Sequence, residues 1–209
     1  MGAFGSGTVV GATGLPRATA HRLAVALEAH GLVRRDPDGR FAPGLRLVGL
    51  GRAAAAALPL AGAARPALAA LRDTTGESVQ LYVREADRRV CVASLESPHG
   101  LRTIVALGAT LPLGVGSAGR ILAADDADPS AWNPRGIHAD WVASVGERES
   151  GVASVSAAVR DHGGRVVAAV GISGPIDRLG SDPGAVHGPA VTAAARAIER
   201  AAGLTAAAR

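Results

Sequence analysis

The chain has no lysine, one cysteine and almost no aromatic side chains. With lysine absent, all 22 of its basic residues are arginine. That usage, together with abundant Ala, Gly and Pro, matches the codon bias of a GC-rich genome, so arginine number alone is no sign of nucleic-acid binding. The glycine-rich run 114–119 lacks the Lys-Ser/Thr ending of a phosphate-binding loop. A single cysteine, Cys91, rules out an internal disulfide and a cysteine-rich zinc site. Its place in an apolar, strand-like run marks a buried structural thiol. His99, His138, His162 and His187 have no metal-ligand spacing. Aromatics make up 2% of the chain against 48% hydrophobic residues, so a core must be built from Ala, Val and Leu. Arg, Gly and Pro interrupt every apolar run before it reaches membrane-spanning length. Residues 1–7 lack the basic and apolar regions of a secretory signal. The expectations are a soluble cytoplasmic protein with no metal site, no cofactor and no membrane partner.

The most informative stretch is 13–41. Gly14 allows a tight turn, and Pro16 suits the first turn of a helix, where a missing N–H costs nothing. Ala20, Leu23, Ala24 and Leu27 follow the spacing of one buried helix face. Gly31 sits where a left-handed residue ends a helix. Leu32-Val33 then begins a strand, Asp36-Pro37-Asp38-Gly39 supplies a turn, and Arg40-Phe41 begins the return strand. The polar face of the helix carries Arg17, Thr19, His21 and Arg22 in its first two turns, the part of a recognition helix that meets base edges. Arg34, Arg35 and Arg40 on the hairpin are placed to meet phosphates. The net charge is only +4, but residues 17–52 carry seven arginines against Glu28, Asp36 and Asp38, so the basic excess lies at this end.

Further along, residues 44–58 read as a linker helix and 62–74 as an amphipathic helix with Leu68 and Leu71 inward. Period-two alternation follows. Ser78–Arg84 puts Val79, Leu81 and Val83 on one face. Glu85-Ala86-Asp87 makes a turn, Arg89–Leu95 returns, and Leu101–Leu107 reads as a third strand. Gly116–Ala124 is a short helix opened by Ser117. Residues 125–137 are turn-rich and resist assignment. Gly151–Val159 and Val166–Ser173 form a hairpin around Asp161-His162-Gly163-Gly164, and 182–202 is a closing Ala-rich helix. Strands flanked by helices give an α+β fold.

The motifs, taken in order, resemble the IclR family of bacterial transcriptional regulators. Residues 14–23 look like its recognition helix and 31–41 like its wing. Thr75–Ser78, Gly108–Leu113, Gly116–Arg120, Gly146–Val152 and Ile172–Pro175 look like its effector domain. The resemblance implies a winged helix-turn-helix over 1–43, a linker helix over 44–60, and a GAF-like antiparallel-sheet effector-binding domain over 61–209. It implies a homodimer or homotetramer, a double-stranded DNA operator, and a small organic effector, either an organic acid or an aromatic metabolite. Two departures stand out. Residues 1–12 show no helical period, so the winged helix-turn-helix is expected to be truncated, with Leu23 and Leu27 short of packing partners. The stretch after Ala124 is short, which removes part of one wall of the ligand domain or its support.

Carried onto this sequence, the DNA-binding residues are Pro16, Arg17, Ala18, Thr19, His21, Arg22, Arg34, Arg35 and Arg40. The effector-binding residues are Leu111, Ser117 and Ala118 on one side, with Val152, Ser154, Gly171 and Ser173 on the other. Ser117 at a helix start can present its hydroxyl to a carboxylate, and Gly171 permits close approach of a ligand or of backbone. No catalytic residue is assigned, because Glu147 and Glu149 have no nucleophile or second acid beside them in a recognisable motif. The leading reading is an effector-controlled transcription regulator, not an enzyme. Its rival is a small-molecule-binding protein that has lost DNA binding. A hydrolase using Ser117 or Ser173 is a third.

Overall fold

A computed structural model describes residues 6–56, 58–123 and 140–205. The chain divides into two units, Met1–Leu58 and Pro59–Arg209. The unassigned stretch 125–137 and His138 lie outside the described residues.

In the first unit, helix α1 (Ser6–Thr13) packs against helix α2 (Arg17–Ala29). This helix forms where the sequence shows no helical period. The run lacks an amphipathic period, so periodicity had nothing to detect there. Its last residue is held by Thr13 Oγ1 donating to Val9 O at 2.7 Å. Gly14, at φ +69°, makes the turn that a side chain would disfavour. Pro16 stands one residue before α2 in an extended conformation, not inside the first turn.

The buried stripe of α2 is thinner than the spacing implied. Ala20 and Ala24 are buried, but Leu23 and Leu27 remain 50% and 43% exposed. A core leucine left half exposed forgoes on the order of 1–2 kcal/mol. Ala24, Val33 and Phe41 form the small core of this unit. The hairpin pairs β1 (Val33–Arg35) with β2 (Phe41–Pro43), antiparallel. Asp36 closes its turn by accepting from the N–H groups of Asp38 and Arg40. Helix α3 (Arg46–Ala56) follows, within the expected linker.

The second unit opens with α4 (Pro59–Thr75) and is organised on a six-stranded antiparallel sheet. Its strands are β3 (Ser78–Glu85), β4 (Arg88–Leu95), β5 (Thr110–Pro112), β6 (Trp141–Val145), β7 (Val152–Arg160) and β8 (Val166–Pro175), in the order β5-β4-β3-β8-β7-β6. Helix α5 (Gly116–Ala123) packs against β6, β7 and β8, while α4 and α7 (Pro183–Ala201) pack together and over the sheet. A short α6 (Ile176–Leu179) follows β8. Two expectations change. Leu101–Leu107 is not a strand: Thr103 and Val105 are buried while Leu101, Ile104 and Leu107 stay exposed, and the segment has no regular structure before the turn at Leu107. The strand pairing falls instead to β5, against Arg88–Val90. β6 was not anticipated at all.

Alternation decides what each face of the sheet holds. Val79, Leu81, Val155, Val170 and Ile172 meet Leu68, Leu71, Val191 and Ile198 in the main core. Trp141 lies against α7 where Gly184 and Gly188 leave room; a Cβ at either would fall within 2.3 Å of the indole. Glu77, 3% exposed, accepts from two nitrogens of Arg178, which also donates to Leu101 O at 2.9 Å and so ties the start of that segment to α6.

A smaller cluster on the opposite face includes Tyr82, Cys91, Ala118, Ile121 and Leu122. Burial pushes Cys91 up to about 11; burial, with the nearby Cys91, pushes Tyr82 up to about 12. Unfolded, they titrate near their ordinary 9.0 and 10.0. Folding therefore favours their neutral forms, and this stability is complete below pH 9 and lost as pH rises through 11 and 12. The urea midpoint of the parent should fall more steeply above pH 9 than that of a Cys91→Ala/Tyr82→Phe variant. A thiol reagent near neutral pH should leave Cys91 unlabelled until urea unfolds the chain; rapid labelling of native protein contradicts its burial.

Candidate functional site

Register lines up a polar row across four strands. Ser78 pairs with Ser173, Ser173 with Ser154, and Ser154 with Ser144. The next row on the same face runs Gln80, Gly171, Ser156. Their neighbours along each strand point into the apolar core, so this face is hydroxyl-rich by alternation alone. Helix α5 lies over it. Ser117 Oγ donates to Ser154 Oγ at 2.8 Å and sits 2.8 Å from Ser156 Oγ. Ser173 Oγ donates to Gln80 Oε1 at 3.0 Å. Gly171 is needed because a Cβ there would lie 2.1 Å from Ser156 Oγ.

Beside these serines lies Arg89, 3% exposed. Its Nη1 donates to Pro112 O and Val115 O, both at 2.6 Å, and its Cζ stands 5.4 Å from the Tyr82 ring centre. Gly119 makes the crossing possible, since a Cβ there would lie 1.9 Å from Nη1. Burial lowers the Arg89 pKa, Tyr82 opposes this, and the charge of Arg148 lowers it further. Arg89 Nε and Gln80 Nε2 are buried without a hydrogen-bond partner. At the start of α5, Gly116 N donates to Glu147 Oε2 at 3.1 Å, and Arg120 holds the other carboxylate oxygen at 3.1 Å.

Gln80, Tyr82, Arg89, Ser117, Ser154, Ser156 and Ser173 line an open cleft of about 410 Å³. Of the residues named from sequence, Ser117, Ala118, Val152, Ser154 and Ser173 line the cleft. Leu111 is packed in the smaller apolar cluster, and Gly171 lies under Ser156; neither lines the cleft. Sequence reasoning missed Gln80, Tyr82, Arg89, Ser144, Arg148 and Ser156. Gln80 and Tyr82 were legible as the face of β3 opposite Val79 and Leu81; Arg89 and Arg148 carried no such signal. No His, Asp or Glu among the described residues lines the cleft, so the Ser117 and Ser173 hydroxyls have no base beside them there. No three metal-ligating side chains cluster among the described residues.

In the first unit, Pro16, Arg17, Ala18, His21 and Arg22 are exposed along the start of α2, with Thr19 half-buried, and no side chain caps the helix. Arg34 and Arg40 are exposed on the hairpin. Arg35 is engaged within the unit. Its guanidinium lies 4.4 Å from the Phe41 ring centre, its Nε reaches Glu28 at 3.2 Å, and its Nη1 donates to Gly39 O at 3.1 Å. It braces the hairpin against α2.

Residues 52–132 and 137–200 match the family model "Bacterial transcriptional regulator IclR C-terminal", and residues 3–37 match "IclR helix-turn-helix domain". The chain is 30% identical over 112 residues to the HTH-type transcriptional regulator KipR of Bacillus subtilis, an alignment covering 54% of this chain and 45% of that protein. It is 29% identical over 200 residues to the glycerol operon regulatory protein of Streptomyces coelicolor, covering 84% of this chain and 79% of that one. Among solved structures, an IclR homolog from Microbacterium hydrocarbonoxydans, complexed with 4-hydroxybenzoate, superposes with a TM-score of 0.77 at 22% identity, covering 96% of this chain and 91% of that one.

Gly119→Ala should destabilise the second unit by ~1–3 kcal/mol, the usual cost of overpacking, measured by urea denaturation. Gly62→Ala serves as the control, since Gly62 is also helical and nothing lies within 4 Å of a Cβ there. If the two variants lose the same stability, the passage of Arg89 beneath α5 does not require Gly119.

Proposed function

The chain belongs to the IclR family of bacterial transcriptional regulators, and on that premise we propose that a small organic effector in the α5–sheet cleft controls how the chain reads its operator. DNA binding and transcription regulation come with the family. The observation that carries the effector reading is the cleft itself, a polar concavity lined by Gln80 and Arg89, each with a buried side-chain donor that has no hydrogen-bond partner among the described residues. The 4-hydroxybenzoate held by the Microbacterium relative supports a small-molecule role for this domain type.

On this reading Arg17, Thr19, His21 and Arg22 face base edges, Pro16 and Ala18 set the approach, and Arg34 and Arg40 meet phosphates. A homodimer or homotetramer presents paired recognition helices to two half-sites, and effector binding shifts the equilibrium among their arrangements. The protein works in the cytoplasm, where its operator is. The relatives it resembles are transcriptional regulators, which supports a regulatory role for this chain.

Fluorescence anisotropy against the DNA upstream of the gene tests the DNA face. Affinity should fall steeply with salt. Arg17→Ala should cost ~1–3 kcal/mol and relax base preference, whereas Arg40→Ala should weaken all sequences alike. Parent-like binding by both variants contradicts the docking.

A further inference from the structure

We infer that Glu28 and Arg35 are positioning residues for DNA recognition: they fix the hairpin against α2, and Arg35 does this in place of meeting a phosphate. This rests on reading the start of α2 and the hairpin as the DNA face.

A helix that meets base edges and a hairpin that meets phosphates must be held at a set angle to one another. Apolar packing supplies little of that here, because the core of the unit is Ala24, Val33 and Phe41. Arg35 supplies polar contacts to every element involved. Its guanidinium carbon lies 4.4 Å from the centre of the Phe41 ring, directly across the strand pair. Its Nε donates to Glu28 Oε2 on α2 at 3.2 Å, and its Nη1 donates to Gly39 O in the turn at 3.1 Å. One guanidinium on β1 therefore reaches α2, the turn and β2. Phe41 adds a second link to α2, its ring centre 6.2 Å from that of His21 and tilted by 59°. Arg17, His21 and Glu28 follow an i, i+4, i+11 series, so they share one side of α2. The brace thus runs down the side that carries Arg17.

Charge sets this pair apart from its surroundings. Arg17, Arg22, Arg34 and Arg40 are exposed and make no ion pair among the described residues, whereas Arg35 is held by Glu28. Glu28 is the one acidic residue of α2. A carboxylate on a surface that meets phosphate repels it, so an unengaged glutamate there would weaken binding. A phosphate brought to Arg35 would stand beside that carboxylate, a contact between like charges. Lysine has the charge of arginine but no planar fork to span Glu28 and Gly39 while lying over a ring.

The test is fluorescence anisotropy of the full chain on two duplexes: DNA from upstream of the gene, and a scrambled duplex of the same composition. Charge alone predicts that Glu28→Gln binds both more tightly and that Arg35→Lys binds as the parent does. The brace predicts the opposite on the upstream duplex. Glu28→Gln should bind it about threefold more weakly, within what an exposed ion pair contributes. Arg35→Lys should bind it about tenfold more weakly, because the ring contact goes as well. On the scrambled duplex, where no set angle is read, Glu28→Gln should bind more tightly than the parent, and Arg35→Lys should lose less than on the upstream one. Arg40→Ala, which removes a phosphate contact, should weaken both duplexes alike. Glu28→Gln that matches or exceeds the parent on the upstream duplex overturns the inference, as does parent-like Arg35→Lys. Equal weakening of both duplexes by either variant means that the pair holds the unit together without positioning it, and overturns the inference too. A parent that shows no preference for the upstream duplex removes the reading of the DNA face, and the inference with it.

Discussion

A guanidinium carried beneath a helix has to be solvated by the protein itself, and much of the second unit is arranged around doing this for Arg89. Two backbone carbonyls at 2.6 Å take one nitrogen, and the Tyr82 ring lies along one side of the guanidinium. Gly119 leaves out the side chain that would occupy the same space. Those requirements reach outward. Pro112 belongs to β5 and Val115 to the turn into α5, so the arginine ties the sheet edge to the helix. Replacing a buried charge's partners is costly where water cannot return. This connects the fold of α5 to the chemistry of the cleft below it.

The two units solve different problems. The second buries a continuous apolar layer of small β-branched and alanine side chains beneath α4 and α7, and so leaves its opposite face free to be polar. The first has a core of Ala24, Val33 and Phe41 and holds its hairpin by other means: the Arg35 brace to Glu28 and Phe41, and the Asp36 turn. Leu45 and Val48 are 81% and 62% exposed in this unit, as Leu23 and Leu27 are on α2. Its local geometry is well specified by turns and polar contacts even though little apolar surface is buried. The exposed arginines at the start of α2 stand on that frame.

Much of this was legible in the sequence because each signal is local. The α2–hairpin unit follows from Gly14, Gly31, the Asp36–Gly39 turn and the spacing of Ala20 and Ala24. The β7–β8 hairpin follows from alternation around Asp161–Gly164, and it brings Ser154 and Ser173 side by side as the sequence implied. What escaped is set by tertiary contacts. Leu101–Leu107 alternates well enough to read as a strand, yet no strand among the described residues pairs with it, and Arg178 donates to Leu101 O instead. Helix α1 has no period to read, and forms where it can pack on α2. The burial of Arg89 depends on Gly119, thirty residues away, and on two carbonyls, none of which a scan of side-chain pattern connects.

The burial and free donor of Arg89 are best tested by NMR of the arginine Nε–H groups in ¹⁵N-labelled protein. The Arg89 signal, identified by its loss in Arg89→Lys, should exchange with water far more slowly than those of the exposed arginines Arg17, Arg34 and Arg40. An Arg89 Nε–H that exchanges as fast as the exposed ones would contradict the account.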